Sequence, residues 1–548
     1  MSANSYIQVI VPLKLDWEPF YSVPEGVELV EGDRVNVLFS GKEYMAVVSK
    51  TNAVPDDVLL NKGVHSIIDK VTDLPRITAL EIRFWRTLAA YYLCTVGEVY
   101  KSVYYLDKPL PRKWTEKLRD TIAAEMYDDG VDDKILEAFK QKKTILLRGG
   151  DSRTELYLKL AIKAIKSGKS VLYLVPDIAF TQSLEQYVSS VFPEVMVFSS
   201  AITPARKRDI VIEARSGKPM IVLGTKNALW IPFGNLGLII VDDEHDSSYK
   251  QDSPAPRFHT RESAIMLGAT CSANVVLGSA TPSLESLYNS ETGLFVRFDI
   301  PDNGNDHSVS VIDLVAEKRK RAVSGSFSFK LLAHLQSVEE SGGKVLLICP
   351  AKGAIQECAQ ELEAIIPGAV NKTVFITSPF GIKSLPSGEY SLSAILNSDS
   401  LIGREDFRSD EYALQQFHHL STLTPLLILQ TREPSHPVFS LQNGAESMLN
   451  ERRSFGYPPY TRLVQIDMED ANENRRKLRT RFMVNRLKEV LRPFSDPVII
   501  GSDTGRVRIF FKRDKNLVKG KVALRNEVCK FEQQYGCSGH IVIDVDPV

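Results

Sequence analysis

Apolar and polar positions divide the chain into four kinds of stretch. Residues 7 to 50 alternate short apolar runs with Pro and Gly turns: Ile7 to Leu13, a turn through Pro19, Pro24-Glu25-Gly26, then Arg34 to Phe39 and Tyr44 to Val48. This pattern predicts a small β-barrel. From Thr78 to Tyr104, Ile82, Phe84, Trp85, Leu88, Ala89, Tyr92 and Leu93 fall near a 3.6-residue period, and Thr95-Val96-Gly97-Glu98-Val99 opens a further helix. After Thr144, apolar strands alternate with helical stretches, as in an α/β protein. Near the C-terminus a basic helix from Arg475 to Arg492 leads into strands Pro497 to Ile500, Val507 to Phe511 and His540 to Val545, a βαβ-type α+β domain.

Within the α/β part, one stretch organises the rest. The run Leu238-Ile239-Ile240-Val241 is apolar on both alternating faces and ends in Asp242-Asp243-Glu244-His245. A central parallel strand that delivers carboxylates to the carboxyl edge of its sheet has this pattern, and ligands of open α/β sheets bind at that edge. A buried strand ending in a solvated acidic turn has the same pattern. A second strand, Asn274 to Leu277, ends in Gly278-Ser279-Ala280-Thr281-Pro282-Ser283, a small hydroxyl-rich loop suited to coupling neighbouring parts of a nucleotide site. The acidic box and this loop together match a superfamily 2 helicase core.

Composition narrows the picture. A chain of 548 residues holds several domains, and 43% hydrophobic with 25% charged residues is an ordinary soluble composition. The formal net charge of −1 supplies no global basic field, so nucleic-acid contacts must come from local patches and depend on salt. No apolar run of about twenty residues occurs and Met1 to Tyr6 lacks a signal-peptide pattern, so the expected location is cytoplasmic. The six cysteines, Cys94, Cys271, Cys349, Cys358, Cys529 and Cys537, contain no Cys-x-x-Cys pair, which predicts neither a disulfide framework nor zinc.

Several long strings carry a family resemblance. Asn235 through Gln251, Leu277-Gly278-Ser279-Ala280-Thr281-Pro282-Ser283-Leu284-Glu285-Ser286-Leu287-Tyr288, Tyr91 through Val99, and Glu451-Arg452-Arg453-Ser454-Phe455-Gly456-Tyr457-Pro458-Pro459-Tyr460 closely resemble the bacterial replication restart protein PriA family. The resemblance runs from near residue 7 to 548. It implies an N-terminal DNA-binding barrel plus helices over 1–105, a shortened linker over 106–143 and RecA-like helicase lobes over 144–300 and 301–450. A C-terminal DNA-binding domain follows over 451–548. It further implies branched or single-stranded DNA, primosome proteins or single-stranded-DNA-binding protein as partners, and a monomer. No membrane partner is expected.

The chain departs from the family where chemistry is done. The family's Phe-Asp-Tyr, whose acid accepts hydrogen bonds from a 3′-terminal nucleotide, reads Pro19-Phe20-Tyr21, which keeps base stacking and loses the acceptor. A phosphate loop needs glycines that let backbone N–H groups wrap phosphate and a lysine that reaches it. Here Gly149, Gly150, Arg153 and Thr154 occupy a loop about two residues shorter, and a forked guanidinium does not replace an ammonium. Asp242 keeps the Mg²⁺-organising acid, but Asp243 replaces the family's glutamate. That shorter carboxylate is displaced by about 1.5 Å, an error worth about 10²-fold in rate. Phe417 through Thr424 replaces a motif with two arginines, a class of contact worth about 10³ to 10⁵. The winged helix, glutamine motif and zinc modules have no counterpart.

DNA contacts are expected from Phe20, Tyr21, Lys226, Arg257, Phe258, Arg261, Arg506, Arg508 and Lys512, the last three mixed with Phe510 and Phe511 as in strand-binding surfaces. A solvated sheet face fits the same basic cluster. The expectation is a PriA-like primosome protein that binds forked DNA without hydrolysing ATP. Cofactors are then absent unless the altered site still holds Mg-ATP through Arg153, Thr154 and Asp242, which would make it an ATP-dependent helicase. A protein-interaction module regulating an intact PriA is the other alternative.

Overall fold

The computed structural model describes residues 5–103, 131–150, 152–176, 181–192, 195–301, 308–379, 382, 388–403, 406–441, 444–536 and 541–547. Most of the linker at 106–143, together with Cys537 and His540, lies outside them. The chain forms two compact units, one of residues 1–145, 154–277 and 461–548, the other of residues 146–153 and 278–460.

In the first unit, strands Phe20–Ser22, Tyr6–Ile10, Lys42–Lys50, Arg34–Phe39 and Asp69–Val71 pair antiparallel in that order. The Ser22 N–H donates to the His65 carbonyl at 2.9 Å and the Ile67 N–H to the Ser22 carbonyl at 3.2 Å, which closes the strands into a small barrel. Its core is Ile7, Val9, Val11, Tyr21, Val35, Val37, Ala46, Val48 and Ile67. Phe20–Ser22, directly after the turn expected at Pro19, is a short strand.

The amphipathic stretch forms helices Ala79–Tyr92 and Val96–Val103. Thr78 caps the first in a capping box with Glu81. Thr95 and Glu98 reciprocate backbone bonds at 2.8 and 3.1 Å to start the second. A Cβ at Gly97 would lie 2.2 Å from the Leu13 carbonyl, so only glycine lets this helix press against the chain leaving the first strand. The resemblance around Tyr91 to Val99 thus has a packing cause.

Leu236–Val241 is the central parallel strand the pattern predicts, between Asn274–Ser279 and Ser170–Leu174, with Ile221–Gly224 and Met196–Phe198 beyond. Its apolar run is buried on both faces.

The last part of this unit is a β-α-β-β-α-β fold. Strands Val498–Gly501, Arg506–Lys512, Thr461–Met468 and Ile541–Val545 pair antiparallel in that order, and helices Glu473–Leu491 and Leu517–Tyr535 connect them in the ferredoxin-like manner.

The second unit holds a five-stranded parallel sheet in the order Ser308–Asp313, Leu426–Thr431, Leu392–Ile395, Val345–Ile348, Val374–Thr377. Cys349 and Cys358 lie together in its core. Two parallel sheets agree with the two expected α/β lobes. The string from Glu451 to Tyr460 belongs to this second unit, and the chain re-enters the first at Thr461.

Candidate nucleotide and nucleic-acid sites

At the end of the central strand the Asp242 N–H still pairs with the Leu174 carbonyl, at 3.0 Å, so the sheet fixes where its side chain emerges. Its Oδ1 accepts the Tyr157 hydroxyl at 2.9 Å and the Asp243 N–H at 3.1 Å, while the Tyr249 hydroxyl donates to its carbonyl at 2.7 Å. Tyr157 sits on the helix Ser152–Lys166, with its ring edge on Tyr173 at 5.5 Å. The backbone turns sharply at Asp243, where φ is +44°.

Glu244 is 0% exposed, and its Oε2 accepts Arg261 Nη1 at 2.9 Å. Arg261 also reaches Glu262, and His259 lies 3.2 Å from that carboxylate. Burial works to raise the Glu262 carboxyl, but Arg261 and His259 outweigh it and hold the group well below the usual carboxylate range. Glu244 is therefore half of a buried ion pair and not an acid facing a ligand. His245 is half-buried beside it.

The same corner ties three of the expected DNA contacts to partners inside the fold. Arg261 is the buried partner of Glu244. Phe258 is buried edge-on to Trp230 at 5.2 Å, so its ring face is not open to a base. Lys226 Nζ donates to the carbonyls of Ser248 and Lys250 at 3.2 and 3.1 Å, and burial lowers its pKa. Nearby, buried Lys250 joins Asp544 at 2.6 Å and also donates to the Val545 and Arg257 carbonyls. The segment after the acid box thus anchors the ferredoxin-like part.

In the second unit, the Gly149 N–H donates to the Ser279 carbonyl at 3.2 Å, and the Arg153 guanidinium donates back into the loop, to the Gly149 carbonyl. Gly150 accepts from the Arg153 N–H. Thr154, on the first-unit side of the boundary, is half-buried on its helix. Ser279 Oγ accepts the Thr281 N–H at 3.0 Å, which ties Gly278-Ser279-Ala280-Thr281 into a tight turn, and Ser283 caps the helix Leu284–Glu291.

Two of the resembling strings, the one ending at Tyr288 and Glu451 to Tyr460, meet in this unit. Arg408 pairs with Glu285 at 2.8 Å, Arg452 with Glu411 at 2.6 Å, and Glu411 also accepts the Leu284 N–H at 2.9 Å. Phe407 stacks on Tyr457 at 5.0 Å with both arginines over it. Buried charges at this density need partners on every side, which accounts for strings of this length as architecture.

On the barrel, Tyr21 is buried with its hydroxyl donated to the Leu38 carbonyl at 2.9 Å, so it is core and not a stacking platform. Phe20 is half-buried and lines a cavity of about 730 Å³ with Leu13, Leu15, Trp17, Val58 and Arg525. Trp17 is 55% exposed beside Phe39, a large aromatic absent from the expected DNA contacts. Its position next to Pro19-Phe20-Tyr21 was the available signal.

On the ferredoxin-like sheet, Arg506 and Lys512 are exposed, and Arg508 is half-buried against Gln465 at 3.3 Å. Phe510 and Phe511 are buried, so the expected mixture of basic and aromatic groups on one open face does not form. Arg257 is half-buried and lines a separate cavity on this sheet.

Two family models match the chain: a DEAD/DEAH box helicase over residues 137–289 and the 3′ DNA-binding domain of PriA over residues 8–104. By these matches the chain is similar to superfamily 2 helicases, and among them it is PriA-like. It is 30% identical over 318 residues to replication restart protein PriA of Rickettsia felis, covering 57% of this chain and 48% of that protein. It is 37% identical over 205 residues to PriA of Haemophilus influenzae, covering 37% of this chain and 28% of that one. The chain spans about half the length of the Rickettsia relatives it matches. Among solved structures, RecG bound to a three-way DNA junction is 12% identical with a TM-score of 0.40, covering 68% of this chain and 52% of that one. No described helix is long and apolar enough to cross a membrane.

Proposed function

We propose that this chain is a PriA-like replication restart factor that binds branched DNA and does so without ATP-driven unwinding. The observation that carries the second half is the bond from Tyr157 to Asp242. An acid that organises Mg²⁺ must offer its oxygens to the ion's water shell, and here one oxygen already accepts a hydroxyl at 2.9 Å and a backbone N–H. Arg153 supports the same reading, because its guanidinium donates to the loop's own Gly149 carbonyl. The residues present do not fit Mg-ATP.

DNA binding is supported by the matched 3′ DNA-binding model and by the Trp17 and Phe20 cavity, which gives a base an aromatic surface without a carboxylate acceptor at position 20. Primosome proteins as partners, a monomeric state and a cytoplasmic location belong to the same proposal.

The test measures binding of a labelled fork and hydrolysis of ATP in the same buffer. Fork binding that weakens steeply with salt, without DNA-stimulated ATP hydrolysis, is expected. Hydrolysis at about 1 to 10³ per second would overturn the proposal.

A further inference from the structure

A cavity of about 890 Å³ opens on the ferredoxin-like part, between the loop after strand Thr461–Met468, the first turns of helix Glu473–Leu491, the turn Ser502–Gly505 and the segment carrying Arg257. Its lining includes five arginines, Arg257, Arg475, Arg476, Arg479 and Arg506, against the three carboxylates of Asp467, Glu469 and Asp470. Positive charge is in excess, and few apolar groups face the space.

Two of the carboxylates act inward, as anchors for the guanidiniums. Arg506 Nε donates to Asp467 at 3.0 Å. Arg475 holds Asp470 through two bonds, at 2.5 and 2.7 Å, and Arg479 reaches the same carboxylate at 2.8 Å. Hydrogen bonds from Arg475 and from the Asn472 backbone hold the Asp470 carboxyl below its usual range, so the anchor stays anionic.

The other two arginines are differently placed. Among the described residues neither Arg257 nor Arg476 forms an ion pair within bonding distance, although the Arg257 charge reaches Asp544 and that of Arg476 reaches Glu473. Arg476 Nη1 donates to the Asp470 carbonyl at 3.3 Å, but its Nε is buried with no hydrogen-bond partner among the described residues. The wall beneath it is shaped for its stem. Gly505 has φ +96°, and a Cβ there would lie 2.9 Å from Arg476 Cδ and 2.5 Å from the Met468 carbonyl.

Guanidiniums that converge from three segments suit a tetrahedral oxyanion, which accepts hydrogen bonds from several directions, better than a carboxylate, which accepts them in one plane. We infer that this cavity is a phosphate-recognition site for a nucleic-acid strand, with Arg257 and Arg476 as the unmatched donors and Arg479 and Arg506 set in place by Asp470 and Asp467. The inference rests on the proposed function only for the source of the phosphate, which is either an internal diester or a strand's terminal monoester.

The full chain and its Arg257→Gln, Arg476→Gln double variant supply the test, since neither change breaks an ion pair. Inorganic pyrophosphate is titrated by calorimetry, and single-stranded oligonucleotides with a 5′-phosphate or a 5′-hydroxyl by anisotropy over a range of salt. The double variant should bind pyrophosphate at least about tenfold more weakly. Its salt slope for single strands should fall by about 0.7 for each phosphate it no longer neutralises. An effect confined to the 5′-phosphorylated strand assigns the terminal monoester; an equal effect on both assigns the diester. Identical behaviour of parent and variant toward every probe overturns the site, as does a difference seen only with an Asp- and Glu-rich peptide. Fork binding retained in full by the variant, together with unchanged binding of pyrophosphate and of both single strands, rejects the site and leaves the proposed function standing. Loss of pyrophosphate binding in a chain that binds no fork leaves the site standing and rejects the proposed function.

Discussion

The acid-box corner and the arginine cavity both gather acids and arginines within the first unit, and they use them in opposite ways. Around Glu244 the charges point inward: the carboxylate is 0% exposed and its Arg261 partner's side chain 8% exposed, at 2.9 Å. In the cavity, arginines outnumber acids, and the Arg506 side chain is 48% exposed although it also bonds a carboxylate, at 3.0 Å. Residue type and bond length are nearly the same in both places. What differs is whether burial closes the pair off from solvent. A charged residue in a motif is available for chemistry or for a ligand only while it still faces solvent, whether or not a partner in the fold holds it.

The largest test of this contrast is Arg261→Ala. It strands Glu244 in a dry site and takes the main partner from Glu262, so a loss of about 3 to 5 kcal/mol in urea unfolding is expected. Pairing it with Glu244→Gln should recover part of that loss, because the stranded charge is then gone. A cost below about 1 kcal/mol would show that water reaches Glu244 and would remove the contrast.

Lys521 sharpens the inward side through pH. Burial, helped by nearby Arg462, lowers its ammonium to about 8, while its Nζ donates to the Tyr91 carbonyl. An unfolded lysine titrates near about 10.4, so between pH 8 and that value the unfolded chain holds more protons and stability from this group rises with pH. The melting temperature of the parent relative to Lys521→Met should therefore climb from pH 8 to pH 10. A difference that falls over this range would mean that the charged form is the one the fold favours.

Tyr157→Phe is a smaller change at the acid box. It removes one hydrogen bond to Asp242, with an expected cost of about 1 kcal/mol. Fork binding should stay at the parental level, and no ATP hydrolysis should appear, since Arg153 still donates into its own loop. Hydrolysis gained by this one substitution would identify the tyrosine as the only obstacle at that site.

Much of the architecture was legible because apolar runs report sheet position directly. Leu238 to Val241, apolar on both faces, could only be an interior strand, and the Thr95 to Glu98 reciprocal cap announced its helix. Thr461–Met468 was not legible: Leu463, Val464 and Ile466 are buried with Gln465 among them, so the run shows neither clean alternation nor an unbroken apolar stretch. Helix Leu517–Tyr535 was hidden because Val518 and Val522 face outward amid charge and blur its period. At the sites, the charges could be read from the residue types but their directions could not. Tyr21, Phe258 and Arg261 have the residue types that bind DNA, but each is buried by a partner far away in sequence, such as Leu38, Trp230 and Glu244. No local pattern encodes that. The arginine cavity was only partly visible for the same reason, since Arg257 and Arg506 come together through the fold alone.

The smallest stability effect belongs to Arg506→Gln, and it completes the comparison. Its bond to Asp467 lies in solvent, with side chains 48% and 33% exposed, so side-chain entropy and screening cancel most of the attraction. Unfolding should change by no more than about 0.5 kcal/mol, where Arg261→Ala costs several times that. DNA affinity should respond the other way round: Arg506→Gln lowers the salt slope for single-stranded DNA, measured by anisotropy, by about 0.7 for each phosphate left without its guanidinium. Arg506→Lys, which keeps the charge but not the fork, should recover the slope and only part of the affinity. If Arg506→Gln instead destabilised the fold as Arg261→Ala does, burial would not be what separates the two regions, and the cavity's arginines would be structural as well.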